Sequence, residues 1–140
     1  MKKAGICLML ILLIGLSAGK ILLAEQTAGE ARLAVLWTSG DLEVAEKMVM
    51  IYAYNAKKYG WFDRIKFIVW GPSTKLLSQT PKLQQWIKKM KNIGVELFAC
   101  KWCADQYKVS AQLKNMGIEV IYYGKPLSEL IKTGWKVMTF

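Results

Sequence analysis

Cys100 and Cys103, in the run Cys-Lys-Trp-Cys, are the residues of this chain best placed to do chemistry. The apolar run VELFA precedes them directly, and ADQY, which can turn into a helix, follows. Two thiols one helical turn apart, where a buried strand leaves a sheet, suit sulfur chemistry better than packing. A thiol attacks only as thiolate, and a helix N-terminus or a neighbouring cation lowers its pKa from about 8.5. Cys100 stands ahead of such a helix with Lys101 beside it. Cys103, one turn further on, is placed to resolve a mixed disulfide or a persulfide on Cys100. In an oxidising compartment the pair can instead close into a structural disulfide. The sulfur chemistry requires Cys100 on an accessible rim with a positive local field.

Much other chemistry is excluded by composition. The 140 residues contain no histidine, which removes Ser-His-Asp and Cys-His nucleophile pairs, HExxH metal sites and imidazole proton shuttles. Two thiolates do not complete tetrahedral zinc without ligands from other subunits. No G-x-G-x-x-G or Walker pattern occurs, and a sulfur carrier needs no organic cofactor. Asp105 is a candidate proton acceptor near the thiols, or else a cap or solvent-facing helix residue. Trp37, Trp70 and Trp102 can wall a pocket, whereas Trp86 and Trp135 read as core or interface.

The elements around the cysteines follow a repeated pattern. LAVLWT (33–38) is an apolar run too short for a helix and suits a strand buried on both faces. Asp41 can cap the helix that follows, with Ala45, Met48, Val49, Tyr52 and Ala56 at helical spacing. IKFIVW (65–70) is a second such strand, ended by the turn Gly71-Pro72-Ser73, with a short helical turn around 75–78. Thr80-Pro81 opens a helix with a cap and a proline at its first position. VELFAC is the third strand. Ser110 can cap a helix closed by Gly117; IEVIYY (118–123) is the fourth strand, and Gly124-Lys125-Pro126 a turn. LSELIK is the last helix, and WKVMTF (135–140) the fifth strand. Alternation of this kind predicts an α/β fold: a mostly parallel five-stranded sheet covered by helices on both faces. In such sheets, sites gather beyond the carboxyl ends of the strands. Those ends are Thr38-Ser39-Gly40-Asp41, Trp70-Gly71-Pro72-Ser73, Cys100-Lys101-Trp102-Cys103 and Tyr123-Gly124-Lys125.

Residues 1–24 read as a signal peptide or N-terminal anchor. Lys2 and Lys3 precede the uncharged stretch AGICLMLILLIGLSAG, and cleavage sites after Gly19 or Ala24 are both conceivable. An uncleaved leader would act as an anchor, with Lys20 snorkelling. Either way the domain is expected to be exported, periplasmic or membrane-anchored facing the periplasm. Cys7 lies within this leader, residues 25–31 form a linker, and residues 32–140 the domain. The formal charge of +10 falls to +7 when the leader takes Lys2, Lys3 and Lys20 with it, leaving 17 basic against 10 acidic residues. Arginine occurs only at Arg32 and Arg64 and the lysines are spread along helix faces, so a solvated basic surface is expected and not nucleic-acid binding.

WTSGD, IVWGPS, ACKWCADQYKVS and GIEVIYYGKPLSELIKTGWKVMTF together resemble the DsrE-like family of sulfur-relay and sulfur-oxidation proteins, over roughly residues 32–140. The resemblance implies a three-layer α/β/α, flavodoxin-reminiscent fold and assembly into homotrimers or hexamers. It also implies that Cys100, which matches the family's sulfur-accepting position after the third strand, takes sulfur as a persulfide. Partners would be a sulfur donor and an acceptor protein, with the membrane touched only through an uncleaved leader. Only part of the family has a second cysteine, so Cys103 as resolving thiol is inferred from spacing. The export leader also departs from the cytoplasmic carriers. Two other readings stand beside this one: a non-enzymatic oligomeric binding or assembly module stapled by a Cys100–Cys103 disulfide, and a thiol–disulfide oxidoreductase.

Overall fold

The computed structural model describes residues 29–140; the leader, Cys7 and most of the linker lie outside the described residues. Five strands form the sheet: β1 (Arg32–Trp37), β2 (Arg64–Val69), β3 (Glu96–Cys100), β4 (Glu119–Ile121) and β5 (Lys136–Thr139). All neighbours are parallel, in the order β4-β3-β2-β1-β5. Val35 pairs with Phe67 on one side and Met138 on the other, and Phe67 in turn with Leu97.

Between β1 and β2 the helical residues run through α1 (Leu42–Val44), a π-helical turn (Ala45–Val49) and α2 (Met50–Lys58). The next two connections carry α3 (Pro72–Gln79) and α4 (Pro81–Asn92), then α5 (Lys101–Gln106) and α6 (Ser110–Asn115). These three connections step in one direction across the sheet, so right-handed crossovers put their helices over one face. The fourth connection, through α7 (Gly124–Lys132), jumps back past β1 and covers the opposite face.

The two faces are therefore covered unequally. Leu33, Val35, Trp37, Ile65, Phe67, Val69, Leu97 and Ala99 point into the larger core with Val49, Met50, Leu83, Ile87 and Met90. Ala34, Ile68 and Cys100, one residue out of phase, point the other way and meet Tyr123, Leu130, Trp135 and Cys103. Strand alternation thus assigns Cys100 to the thinly covered face. Below it on that face, the guanidinium of Arg64 forks onto Glu96 and Lys66 reaches the same carboxylate. Arg32, Arg64 and Lys66 all lie within 5.3–5.5 Å of the Trp135 ring centre.

Several local expectations change. Met48 is exposed, not buried, because the π-helical turn adds a residue per turn and rotates it off the core; Ala45 and Val49 remain inside. Asp41 does cap, its carboxylate accepting from the Val44 N–H at 2.9 Å. Thr80 and Ser110 make no side-chain cap. Pro72 opens a full helix in place of a turn, as Gly124 does in α7.

Candidate functional site

Cys100 ends β3 with extended backbone and is the residue from which α5 starts, so Cys103 falls in the first turn of that helix. β2 lies beside β3, and the chain leaving it turns at Gly71, with φ 67° and ψ −138°, a conformation open to glycine alone. This turn aims the Gly71 N–H at Cys103, to whose Sγ it donates at 3.2 Å. On the other side, Ile121 pairs with Cys100, and two residues later Tyr123 is buried with its ring 5.1 Å from that of Phe98. The two free thiols thus lie together between a backbone donor from β2 and an aromatic cover from β4.

The thiols are placed at the carboxyl rim of the sheet, but not in the open. Cys100 and Cys103 are each 4% exposed. The accessible rim required above is corrected: both thiols are packed into the apolar cluster of the thinly covered face, with Ile68, Tyr123 and Leu130 among its members. Burial pushes the Cys103 thiol up; the Gly71 N–H opposes that shift, and the neighbouring Cys100 adds to it.

The positive field is also corrected. Lys101 turns its ammonium to Asp105, one helical turn on, and over the Tyr122 ring. The bond to Asp105 raises the Lys101 pKa, while Lys101 and then Ser110 hold the Asp105 carboxyl below its ordinary value. Asp105 is thus an ionised partner in a surface network, poorly suited to take a proton.

The other strand-end loops meet the cysteines only in part. Ser73 is wholly buried; its hydroxyl accepts from the Trp70 N–H at 3.1 Å and donates to the Trp37 carbonyl at 2.6 Å, stitching the ends of β1 and β2. Thr38 donates to the Phe140 carbonyl at 2.7 Å. The three tryptophans do not wall one pocket: Trp37 is buried in the larger core, Trp70 is half-buried on the opposite face, and Trp102 projects into solvent. Trp37 Nε1 and Thr74 Oγ1 are buried without hydrogen-bond partners. A groove of about 250 Å³ opens between Gly40, Pro72, Lys75 and Tyr107.

Sequence reasoning set the Gly71 and Tyr123 loops on the same rim as the thiols but gave neither residue a role beside them. A backbone N–H leaves no mark in residue type, although a glycine ending a buried strand was a usable signal. Among the described residues no three His, Cys, Asp or Glu side chains converge as metal ligands.

The model of the DsrE/DsrF-like family matches residues 32–140, the whole of the folded domain. The chain belongs to that family. Structures with this DsrE-like fold include BT1422 from Bacteroides thetaiotaomicron, a conserved protein of unknown function: 35% identity, 78% of this chain and 94% of that one, TM-score 0.75. The ychN protein of E. coli, 15% identical, covers 79% of this chain and 99% of its own, with a TM-score of 0.63. MTH1491 from Methanobacterium thermoautotrophicum, also of unknown function, is 15% identical over 79% of this chain and 100% of its own, again at 0.63. No protein of curated function matches the chain. As a DsrE/DsrF-like protein it is associated, in broad terms, with sulfur relay.

Proposed function

We propose that this chain is an exported sulfur-relay protein in which Cys100 accepts and passes on sulfur as a persulfide, with Cys103 as resolving thiol. What supports the reading is one observation: two free thiols set together at the carboxyl end of β3, with the Gly71 N–H directed at one of them. In the first step the Cys100 thiolate attacks the terminal sulfur of a donor persulfide. The S–S bond of the donor breaks, its thiolate leaves, and Cys100 holds the sulfane sulfur with no net oxidation. An acceptor thiolate then takes that sulfur by the same exchange. Alternatively, the Cys103 thiolate attacks Cys100 Sγ and expels hydrosulfide; the resulting Cys100–Cys103 disulfide must then be reduced by an external dithiol. Both thiols are covered and the Lys101 ammonium is held by Asp105, so neither condition set for this chemistry is met in the closed fold. The relay requires an opening that exposes Cys100, and loading by a protein donor that drives this opening should outpace loading by a small one.

Reduced protein treated with polysulfide, with intact mass as the readout, tests this. The wild type gains the mass of sulfur, Cys100→Ser gains none, and Cys103→Ser keeps a longer-lived adduct. Equal loading of Cys100→Ser overturns the assignment.

The burial of both cysteines favours a second reading, a non-enzymatic assembly module in which the pair serves packing or a staple. It predicts no sulfur gain in any variant and a stability loss of about 2–5 kcal/mol, the range of a removed native disulfide, when both cysteines become serine under oxidising conditions.

A further inference from the structure

An exposed aromatic and apolar patch lies well away from the cysteines. Tyr59, 60% exposed, and Trp61, 53% exposed, sit on the turn between α2 and β2, with ring centres 6.1 Å apart. Trp61 continues into Tyr52, at 6.0 Å, and Tyr52 into Phe140, at 6.3 Å. Between these rings and the exposed Met48 and Ile51 runs an apolar groove of about 390 Å³. Met48 faces outward because of the π-helical turn. Lysines border the patch: Lys47 lines the groove, Lys57 donates to the Asp63 carbonyl, and Lys58 lies over the Tyr54 and Tyr59 rings at 5.7 and 5.3 Å. Of the acids nearby, Glu46 is turned to Lys82 and the Asp63 carboxylate holds the Ala31 N–H, while exposed Glu43 lies beside Lys47 and Met48.

Large amphipathic rings with lysines beside them and aliphatic side chains between them match what a bilayer interface takes: rings at headgroup depth and cations toward anionic lipid. The chain itself supplies the reason for a bilayer to be near. Residues 1–28 include the apolar stretch 4–19, and they join the domain at Ala31, whose N–H donates to the Asp63 carboxylate at 2.7 Å. Asp63 is two residues from Trp61, so the leader enters at the end of the domain where the patch is most exposed. We infer that the Tyr59–Trp61 end of this patch rests on an anionic membrane surface beside the leader, which this inference takes to be retained as an anchor. The strands begin at that end, so the cysteine rim, at their other ends, faces away from the bilayer. Among the described residues no helix is long and apolar enough to cross a membrane, so the contact is peripheral.

The full chain, reconstituted in vesicles of mixed phosphatidylcholine and phosphatidylglycerol carrying brominated acyl chains, gives the test through quenching of tryptophan emission. Of the six tryptophans, Trp61 is the one expected at quenching depth. Wild-type emission should be quenched, Trp61→Phe should lose most of that quenching, and Trp102→Phe, at the opposite rim, should keep it. Lys47→Gln with Lys58→Gln, leaving Trp61 in place, should weaken the quenching and remove its sensitivity to salt. Absence of quenching in the wild type, or quenching unchanged in Trp61→Phe, overturns the inference. So does dissociation of an oligomer by Trp61→Phe in light scattering, which would give the patch to a second copy of the chain. Polysulfide loading of Trp61→Phe should match the wild type, so the result here is separable from the fate of the sulfur-relay reading.

Discussion

Gly71→Ala isolates the backbone geometry behind the thiol pair. A Cβ built at Gly71 meets nothing closer than the Thr38 carbonyl oxygen at 3.9 Å, so the cost is torsional and not steric crowding. Holding a non-glycine residue in so sparsely populated a region costs about 1–3 kcal/mol. Alanine also restricts the unfolded chain, which returns about 0.4–1 kcal/mol. The net expectation is a loss of about 1–2 kcal/mol. For a domain of this size, with a urea m-value of about 1–3 kcal/mol/M, the midpoint should fall by roughly 1 M. D-alanine introduced by ligation has the same volume but the mirror-image torsional preference, and should be neutral or slightly stabilising. In L-alanine the tilted Gly71 N–H releases Cys103 Sγ, so the pH at which that thiol is alkylated in the native state should move up. An unchanged midpoint for L-alanine, or an equal loss for D-alanine, refutes the torsional argument.

Other outcomes follow from the same face of the sheet. Leu130→Ala, which removes a buried side chain from the apolar cluster that also holds Cys100, should cost about 2–5 kcal/mol in urea unfolding and, by loosening that cluster, speed native alkylation of Cys100. Burial raises both the Cys103 and the Tyr123 pKa in the fold. Their protonated forms are therefore favoured by folding: stability is fully present below the unfolded thiol pKa and declines as pH rises through the folded values. Urea midpoints measured from neutral pH upward should show this decline, with its first part absent in Cys103→Ala. At the acid end, the depressed Asp105 carboxyl contributes stability that is lost as pH falls through its folded value. That increment should disappear in Asp105→Asn.

The fold was legible because its three central strands are largely buried on both faces and its helices on one, although β4 and β5 at the edges are mostly not. LAVLW, IKFIV and ELFAC are short apolar runs that suit a covered sheet, and their alternation with helices of clear apolar spacing, set off by glycines and prolines, makes that sheet parallel. Strand order was not legible, since it depends on which way each crossover steps. Alternation placed Cys100 at a strand end, and that holds. What covers that end depends on α7 reaching across from β4 to β5, a long-range contact invisible in local pattern. The same holds for Lys101: its nearness to the thiols in sequence suggested a field, but Asp105 at helical spacing claims the charge. Ser110 likewise bonds Asp105 at 2.6 Å and leaves its helix uncapped.

The position of β5 beside β1 also constrains how the molecule is assembled in time. Thr38 and Phe140, joined by a hydrogen bond, are 102 residues apart in sequence. A chain synthesised from its amino end delivers β1 to β4 while one flank of β1 still has no neighbour. Until the final segment emerges, that flank is a sticky ribbon open to foreign strands. Truncations near the carboxyl terminus should accordingly show themselves as inclusion bodies or chaperone dependence before they show as altered chemistry.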